Sequence, residues 1–267
     1  LGALFGTGGP ALASHDAKLL IRALLKLGLD TSGLTLDTAL AGYLLDPSES
    51  SYELSDLLGR YTDLRLPELV IPDGQLNLDG EFREPAVMAC NHAVGVFGLV
   101  APMLKALDDQ GLRALNDEIE IPLVTVLGRM EEVGIGVDVE ELTRLRDVLT
   151  TDCSRLRTSI HDAAGQEFNV NSTKQLREIL FEKLELTPGK RTKTGYSTDA
   201  ATLERLRGEH PVVEHLLNYR EVEKLRSTYG EGLLAEVHDD SRIRATFNQM
   251  VARTGRLSSD APNLHNI

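Results

Sequence analysis

The sequence predicts an α/β domain followed by a mainly α-helical region, with short strands near the end of the chain. Up to residue 112, short apolar runs of strand length alternate with short helical patterns, and such alternation is typical of α/β folds. From about residue 116, apolar side chains recur at spacings of three and four, which indicates amphipathic helices. A chain of 267 residues is long enough for two domains that each bury a core.

Capping and breaking residues divide the first part into elements. Gly28 ends one predicted helix, because glycine adopts the left-handed backbone of a helix terminus without strain. Asp37 caps the next helix, and the sequence Asp46-Pro47-Ser48 ends it. The predicted strands cover residues 10–15 and 34–36, and the predicted helices cover 17–27, 38–45, 51–61 and 85–109. Residues 67–84 are predicted to form a loop.

The second part is predicted to be a series of capped helices. Asp138 with Glu141, and Ser172 with Gln175, have the spacing of a capping box, and Pro211 opens the last long helix. Residues 242–251 are predicted to be a strand. The side chains expected to face the core are Ile119, Leu123, Val126, Leu127, Met130 and Val133, then Leu142, Leu145, Leu149, Leu156 and Ile160, and finally Val213, Leu217, Leu225, Tyr229 and Leu233.

Charge is distributed unevenly along the chain. The formal net charge is −13, and residues 1–165 carry all of it, with 13 basic against 26 acidic residues. Residues 166–267 hold 15 of each sign and a local basic cluster at Lys183, Lys190, Arg191 and Lys193. Because acidic surfaces repel phosphate, we expect any nucleic acid to meet the second part.

Composition sets further expectations. No run approaches the ~18 uninterrupted apolar residues that cross a bilayer, so no membrane partner is predicted. The only cysteines, Cys90 and Cys153, are predicted to be buried thiols in a reducing cytoplasm. Few aromatic residues and no tryptophan argue against a stacking platform for single-stranded nucleic acid.

The final segment carries groups suited to a DNA minor groove. Residues 247–267 read FNQMVARTGRLSSDAPNLHNI. Gly255 frees the backbone to turn, and Arg256 follows with a planar fork of donors. Ser258, Ser259 and Asn263, together with Asn266, add short hydrogen-bonding groups. Acceptors dominate the minor groove, so such a set can bind base edges and sugars there.

This segment resembles the T-G-R-L-S-S-x-x-P-N-L-Q-N-I signature of the family A DNA polymerases, the bacterial DNA polymerase I group. Residues 168–176 are similar to the family's F-N-x-x-S-x-K-Q-L motif, and residues 193–198 to its K-T-x-x-G-Y-S-T motif. Residues 219–229 are similar to its Y-R…K-L-x-S-T-Y helix. The four matches occur in the family's order and cover about residues 117–267.

In that family the matching unit is the thumb, which grips primer–template duplex across its minor groove. The resemblance implies DNA contacts by Asn169, Ser172, Thr173, Lys174, Lys190, Arg191, Lys193, Arg220, Lys224, Arg256, Asn263 and His265. Free N–H groups at helix starts and flexible lysines bind phosphate without reading sequence. The alternative is that these residues are helix caps and a solvated basic loop. Four motifs in order favour the thumb.

Two positions depart from the family pattern. His265 stands where the family has Gln, and Ala252 where Thr is common. Histidine still donates a hydrogen bond, but its charge changes near neutral pH.

The first part resembles, more weakly, the ribonuclease H-like 3′-to-5′ proofreading domain of the same polymerases. The matching stretches are residues 36–47 and 51–54. Proofreading needs carboxylates that hold two divalent metals about 4 Å apart. The family pattern puts Leu20 where a catalytic aspartate belongs and His92 near the place of another, and its D-x-E strand motif should precede Leu1. A leucine cannot bind Mg²⁺, so the resemblance predicts a degenerate exonuclease domain kept as a scaffold.

Two other groups of residues have acidic side chains that could be remnants of that site. Residues 138–140 have D-x-E spacing but stand at a helix start, where a cap explains them better. His15 with Asp16 has the chemistry of a displaced metal pair, although a polar strand end is the simpler explanation.

The predicted organisation is therefore a degenerate exonuclease-like domain at 1–113, a helical thumb at 114–240 and the start of a palm sheet at 241–267. The implied parent is a DNA-directed DNA polymerase of replication and repair, with Mg²⁺ held by palm aspartates beyond this chain. Deoxynucleoside triphosphates would bind through the palm and fingers of the parent, and no catalytic residue is predicted here. The alternatives are an active metal-dependent 3′-to-5′ exonuclease and a non-catalytic DNA-binding scaffold. We expect a monomer in the cytoplasm, at the nucleoid.

Overall fold

The chain folds into two compact units. A computed structural model describes residues 1–6, 8–67, 83–189, 191–192 and 195–266. The first unit is Leu1–Ile135 with Arg244–Ile267, and the second is Gly136–Ile243. Most of the loop predicted at 67–84 lies outside the described residues. The functional division at residues 113 and 240 stays a prediction.

The described elements follow one another in this order. Up to residue 136 they are α1 Gly2–Phe5, β1 Leu12–Ser14, α2 Ala17–Lys26, β2 Leu34–Asp37, α3 Thr38–Leu45, α4 Leu54–Tyr61, α5 Arg83–Asp109, α6 Arg113–Leu115, a π-helical stretch Asn116–Glu120, α7 Ile121–Val133 and β3 Ile135–Gly136. From there to residue 243 they are α8 Val139–Ala164, α9 Thr173–Arg177, a π-helical stretch Glu178–Lys183, β4 Arg191–Thr192, β5 Gly195–Tyr196, α10 Ala200–Arg205, α11 Pro211–Leu225, a π-helical stretch Arg226–Gly232, α12 Leu233–Ala235 and β6 Arg242–Ile243. The last are β7 Thr246–Asn248, β8 Ser258–Asp260 and a 3₁₀ turn Leu264–Asn266.

Asp37 organises the start of the first unit. It ends β2, which pairs in parallel with β1, and its carboxylate accepts hydrogen bonds from the backbone of both flanking helices. Ala17 N at the start of α2 lies 2.7 Å away, and Ala39 N in α3 lies 3.0 Å away. Burial raises the pKa of Asp37, and these backbone hydrogen bonds oppose that shift. The predicted cap is confirmed, and it serves two helices rather than one.

Helix α5 has one buried and one exposed face. Leu99, Met103 and Leu107 are fully buried against α3 and α4, whereas Phe97 is 81% exposed. By length and composition alone, Ala86–Asp109 is apolar enough to cross a membrane, with a window of mean hydropathy 1.7. Of that window, 22% is buried, and the buried side packs against α3 and α4. The expectation that no membrane partner exists stays a prediction.

The apolar stripe predicted on α7 is wrong at four of its six positions, because of its members only Leu127 is buried and Leu123 half-buried. Ile121, Val124 and Leu127 are buried, whereas Val126 and Met130 are 50% and 42% exposed. Ile119 and Val133, at the two ends of the predicted stripe, are also exposed. Helix α7 is apolar on two sides, so spacing alone could not select the inner one. Packing against α2 selects it.

The core of the second unit lies between α8 and α11, where Ile160, Val213 and Leu216 are fully buried. Two of the predicted core positions are wrong, because Leu145 and Leu225 are exposed. The residues that fill this core without having been predicted include Ala164, Leu176, Leu180, Leu203, Val212 and Tyr219. On both helices the predicted stripe drifts away from the buried face.

The strand predicted at 242–251 is divided. Ile243, Ala245 and Phe247 are buried while the residues between them are half-buried, which is the alternation of a strand. Residues 246–248 pair with β8, and the chain bends after them. Alternation fixes which side chains face inward, but strand length depends on the partner.

Candidate nucleic-acid interface

The first group of predicted DNA-binding residues surrounds the start of α9 in the second unit. Ser172 is the N-cap residue, and its hydroxyl accepts from Gln175 N at 3.4 Å. The Gln175 side chain reaches back to Asn169 N at 2.7 Å, and Asn169 Oδ1 accepts from Asn171 N at 3.0 Å. These bonds fix the loop that leads into the helix.

The side chains that follow the cap point to solvent. Asn169, Thr173 and Lys174 are exposed, and Ser172 is half-buried. Helix α9 therefore presents a cationic side chain and the positive end of its backbone dipole on one surface. That combination attracts a phosphate, although the Ser172 hydroxyl is already engaged by the helix itself.

Arg191 lies on the β4–β5 hairpin. Its guanidinium carbon is 6.0 Å from the centre of the Tyr196 ring, opposite it in the hairpin register. The Tyr196 ring packs edge-on against Phe181 at 5.5 Å. Arg191 is exposed, so its side chain lies beside the Tyr196 ring while its charge faces solvent. Lys190 and Lys193, also predicted to bind DNA here, lie outside the described residues.

Arg220 and Lys224 occupy α11 one turn apart. Arg220 is half-buried and donates to the Thr198 carbonyl, and burial lowers the pKa of its guanidinium. At least one of its donors is therefore used within the unit. Lys224 is exposed. Of the two, Lys224 is the one whose side chain is open to solvent, and Arg220 holds the loop before α10.

A cleft of about 550 Å³ beside Asn169 contains basic residues that sequence reasoning missed. Arg157, His161 and Arg226 line it together with Asn169. Arg226 forms two 2.8 Å contacts with Glu223, which lower the pKa of that carboxyl. Arg157 is exposed. Residues 153 and 160 are buried on one face of α8, and helical spacing puts residue 157 next to that face, so the sequence could have indicated its position.

The second group lies in the first unit, around the β7–β8 hairpin. Gly255 has a φ of 75°, a left-handed conformation that lets the chain turn before Arg256. Arg256 is exposed, and in the described part of the chain its guanidinium has no hydrogen-bond or ion-pair partner. An arginine without a protein partner keeps all five donors for a ligand.

Ser259 fixes Asn263 and His265. It is 1% exposed and lies opposite Phe247 in the hairpin. Its hydroxyl accepts from Leu264 N at 2.9 Å and from His265 N at 3.1 Å. It also lies 2.7 Å from His265 Nδ1 and 3.3 Å from Asn263 Oδ1. One buried hydroxyl therefore orders the whole turn.

These contacts orient the His265 ring, with Nδ1 toward Ser259. Two backbone donors occupy both lone pairs of the Ser259 hydroxyl, so its single hydrogen must be donated. His265 Nδ1 at 2.7 Å and Asn263 Oδ1 at 3.3 Å share that hydrogen. In the tautomer that accepts at Nδ1, neutral His265 carries its proton on Nε2, and its exposed ring edge is a hydrogen-bond donor. That is the role an amide NH₂ of glutamine would have at this position.

Ala252, the other departure from the family pattern, acts through its backbone. The Tyr43 hydroxyl in α3 donates to the Ala252 carbonyl at 2.8 Å. The methyl side chain takes no part in that contact. Within the first unit, the loop before Arg256 is thus tied to α3 whatever small side chain stands at 252.

Residues 1–113 show no recognisable metal site in their described part. The rings of His15 and His92 lie 6.5 Å apart, and His15 Nε2 is 3.9 Å from Asp16 Oδ2. His15 Nδ1 contacts the Thr38 hydroxyl at 2.8 Å. No group of three or more His, Cys, Asp or Glu side chains that could hold a metal occurs among residues that the structure describes.

The other two sequence features are settled by local geometry. Asp138 Oδ1 accepts from Glu141 N at 3.0 Å, so the D-x-E spacing at 138–140 belongs to a helix cap.

Cys153 is buried as predicted, but Cys90 is exposed and that prediction is wrong. Cys90 lies on α5, whose outer face is apolar without being covered.

Comparison with known proteins defines the class of the chain. Residues 139–267 match the model described as DNA polymerase family A, a range that includes both groups of residues above. This part of the chain belongs to that family.

Individual relatives cover almost the whole chain. It is 39% identical to DNA polymerase I of Geobacillus stearothermophilus over 94% of its own length, and 38% identical to DNA polymerase I of Bacillus subtilis over 94%. The chain spans only 29% of the length of each. A solved structure, the POL domain of Pol1 from M. smegmatis in complex with DNA primer-template and dNTP, superimposes with a TM-score of 0.79 at 37% identity. That match covers 97% of this chain and 43% of the other.

Proposed function

We propose that the chain is part of a DNA-directed DNA polymerase and that it binds primer–template duplex through minor-groove and phosphate contacts. The observation that carries this proposal is the set of donors on both sides of β8, in the loop before it and the turn after it. Arg256 in that loop is exposed and has no partner among the residues that the structure describes, while Ser259 presents Asn263 and the Nε2 edge of His265 in that turn. Such a set of donors fits minor-groove acceptors, which every base pair offers.

The remaining contacts are proposed for the second unit. Asn169, Ser172, Thr173 and Lys174 at the start of α9 would contact phosphates and sugars. Lys190, Arg191, Lys193, Arg220 and Lys224 would add positive charge along the duplex. Of the described residues in this set, all except the half-buried Ser172 and Arg220 are exposed. That exposure, and the place of the whole set in a family A segment, support this assignment. Contacts of this kind hold DNA without selecting sequence.

The activity of the whole parent protein is primer extension by attack of the 3′-hydroxyl on a deoxynucleoside triphosphate. Its Mg²⁺ ions would be bound by palm aspartates, and its nucleotide by palm and fingers, all outside this chain. The relative solved with DNA primer-template and dNTP supports these partners. Family A membership supports metal dependence in general.

For residues 1–113, we propose a degenerate exonuclease-like domain of the ribonuclease H-like class that serves as a scaffold. Leu20 at the place of an expected aspartate supports this, as does the engagement of His15 with Thr38. A monomer in the cytoplasm, at the nucleoid and away from membranes, is proposed on the same family grounds.

Replacement of Arg256 tests the proposal. Arg256→Ala should weaken binding of this chain to primer–template duplex by about 1–3 kcal/mol, with little dependence on sequence, because minor-groove acceptors are common to all base pairs. Fluorescence anisotropy with duplexes of several sequences measures the change.

Arg253→Ala is the matched control. Arg253 is an exposed arginine of the same loop whose guanidinium lies 3.4 Å from the Ser48 carbonyl. It carries the same charge but belongs to no family motif. Equal losses from the two replacements would mean that net charge alone, and not the placement of Arg256, binds the duplex.

A further inference from the structure

Glu131 is a buried carboxylate that joins three segments of the first unit. It is 1% exposed and lies on α7. Its oxygens accept from Lys18 Nζ at 2.6 Å and from Arg22 at 3.0 Å, both on α2. They also accept from Phe247 N at 2.7 Å, on β7. A buried carboxylate with three donors is fully paired, so its position is fixed tightly.

Lys18 completes the attachment of β7. Its ammonium donates to the Phe247 carbonyl as well as to Glu131. Both backbone polar groups of Phe247 are therefore bound by charged side chains rather than by a neighbouring strand. Since these bonds are charge-assisted, they hold the strand more firmly than ordinary ladder bonds.

Phe247 in turn determines where the turn after β8 lies. It faces Ser259 in the hairpin register, and its ring packs edge-on against His265 at 5.8 Å. Ser259 holds Asn263 and His265 through its hydroxyl. A continuous set of contacts thus runs from α2 through Glu131 and Phe247 to the residues that face the duplex.

We propose that Glu131 and Lys18 are positioning residues that set the minor-groove donors of Asn263 and His265, so that helix α2 of the degenerate domain serves DNA recognition directly. This rests on the proposed function. Neither residue touches DNA in the proposal. A small shift of the hairpin tilts these donors away from the minor-groove acceptors. A hydrogen bond weakens steeply as its angle departs from linear, so such a tilt reduces binding.

The variant Lys18→Met tests this without removing the fold. Methionine keeps the apolar stem of lysine but loses both contacts of the ammonium. The far end of β7 remains attached, because Gln249 Nε2 donates to the Glu120 carboxylate at 2.7 Å. Glu131→Gln removes the charge from the other side of the same network.

The measurement compares binding of two duplexes by this chain. One carries ordinary purines near the primer end, and the other carries 3-deazapurines, which lack the minor-groove N3 acceptor. The wild-type chain should bind the modified duplex about three- to tenfold more weakly, the effect of losing one ordinary hydrogen bond. In Lys18→Met and Glu131→Gln this ratio should fall toward one, while Lys18→Arg should restore part of it.

Lys105→Met is the matched control. Lys105 also pairs with a carboxylate, that of Asp109, but both are exposed on α5. It should keep the wild-type ratio. Each variant is assayed at a temperature at which circular dichroism finds it folded.

The outcomes separate this inference from the proposed function. A wild-type chain that binds no duplex, or binds both duplexes equally, would refute minor-groove binding itself. A wild-type preference that persists unchanged in Lys18→Met and Glu131→Gln would refute only the positioning role. Failure of both variants to fold would also overturn it, since the network would then act on folding rather than on alignment.

Discussion

At the scale of single residues, hydrogen-bond partners decide which predicted contacts are available to a ligand. Arg220 and Arg256 are both motif arginines, yet only Arg256 has its guanidinium exposed without a partner in the described structure. The difference is invisible in the sequence, because the Thr198 carbonyl that engages Arg220 comes from a loop more than twenty residues away. Motifs identify residue types, whereas contacts identify which donors are unused.

The two cysteines should differ sharply in reactivity. Burial raises the pKa of Cys153 to about 11, and its contact with Glu223 adds to the shift. Cys90 is exposed. Because the thiolate is the reactive species, iodoacetamide at pH 8 should label Cys90 in the folded chain and leave Cys153 unlabelled. Mass spectrometry of tryptic peptides measures the labelling.

The raised pKa of Cys153 also makes the stability of the fold depend on pH. A thiol whose pKa is higher in the folded than in the unfolded chain stabilises the fold fully below pH 9.0, its unperturbed value. That contribution is lost as the pH rises toward about 11. Cys153→Ala should flatten the fall of unfolding free energy over this window, and Cys90→Ala should leave it unchanged. Labelling of Cys153 in the native chain as fast as Cys90 would contradict the burial argument.

At the scale of elements, caps were predictable and buried faces were not. Asp37, Asp138 and Ser172 each cap the helix that the sequence assigns to them, because a cap depends on bonds within a few residues. The stripe on α7 failed because the helix is apolar on two sides, and α2 covers only one. Buried Glu131 lies on that covered side, where periodicity alone would never place a charge.

The start of α9 supports an element-scale prediction. Ser172→Ala removes the hydroxyl that accepts from Gln175 N, and should lower the free energy of unfolding by about 0.5–2 kcal/mol. Duplex affinity should fall with it, because a frayed first turn no longer presents ordered N–H groups to phosphate. Denaturant titration and anisotropy measure the two effects.

Ser154→Ala is the control for this helix start. Ser154 lies within α8, where its hydroxyl donates to the Thr150 carbonyl at 3.0 Å and caps nothing. It should alter neither quantity appreciably. A loss of stability in Ser172→Ala with full duplex affinity would confine the α9 start to a structural role.

At the scale of the whole molecule, charge is divided along the chain in a way that limits where DNA can bind. The first 165 residues carry the entire net charge of −13, and the remainder is balanced. A balanced surface binds phosphate only where basic residues cluster, and the densest cluster spans Lys190, Arg191 and Lys193.

Replacing these three residues with glutamine should flatten the salt dependence of duplex binding. Each phosphate contact contributes about 0.9 to the slope of log affinity against log salt, so the slope should fall by about one to three. Replacing Lys26, Arg65 and Lys105, which lie in the acidic part, should leave it unchanged. An unaltered slope in the first variant would mean that this loop does not contact phosphate.

The sequence by itself determined the helical second part, the caps and the family, because these depend on local spacing and on motifs that a single chain displays. Tertiary structure decided which faces are buried, which arginine keeps its donors unused, and that α2 reaches the β7–β8 hairpin through Glu131. Lys18 and Phe247 are more than two hundred residues apart, and no local rule connects them. Burial and long-range pairing arise only when distant segments exclude water together, which is why they had to be read from the fold.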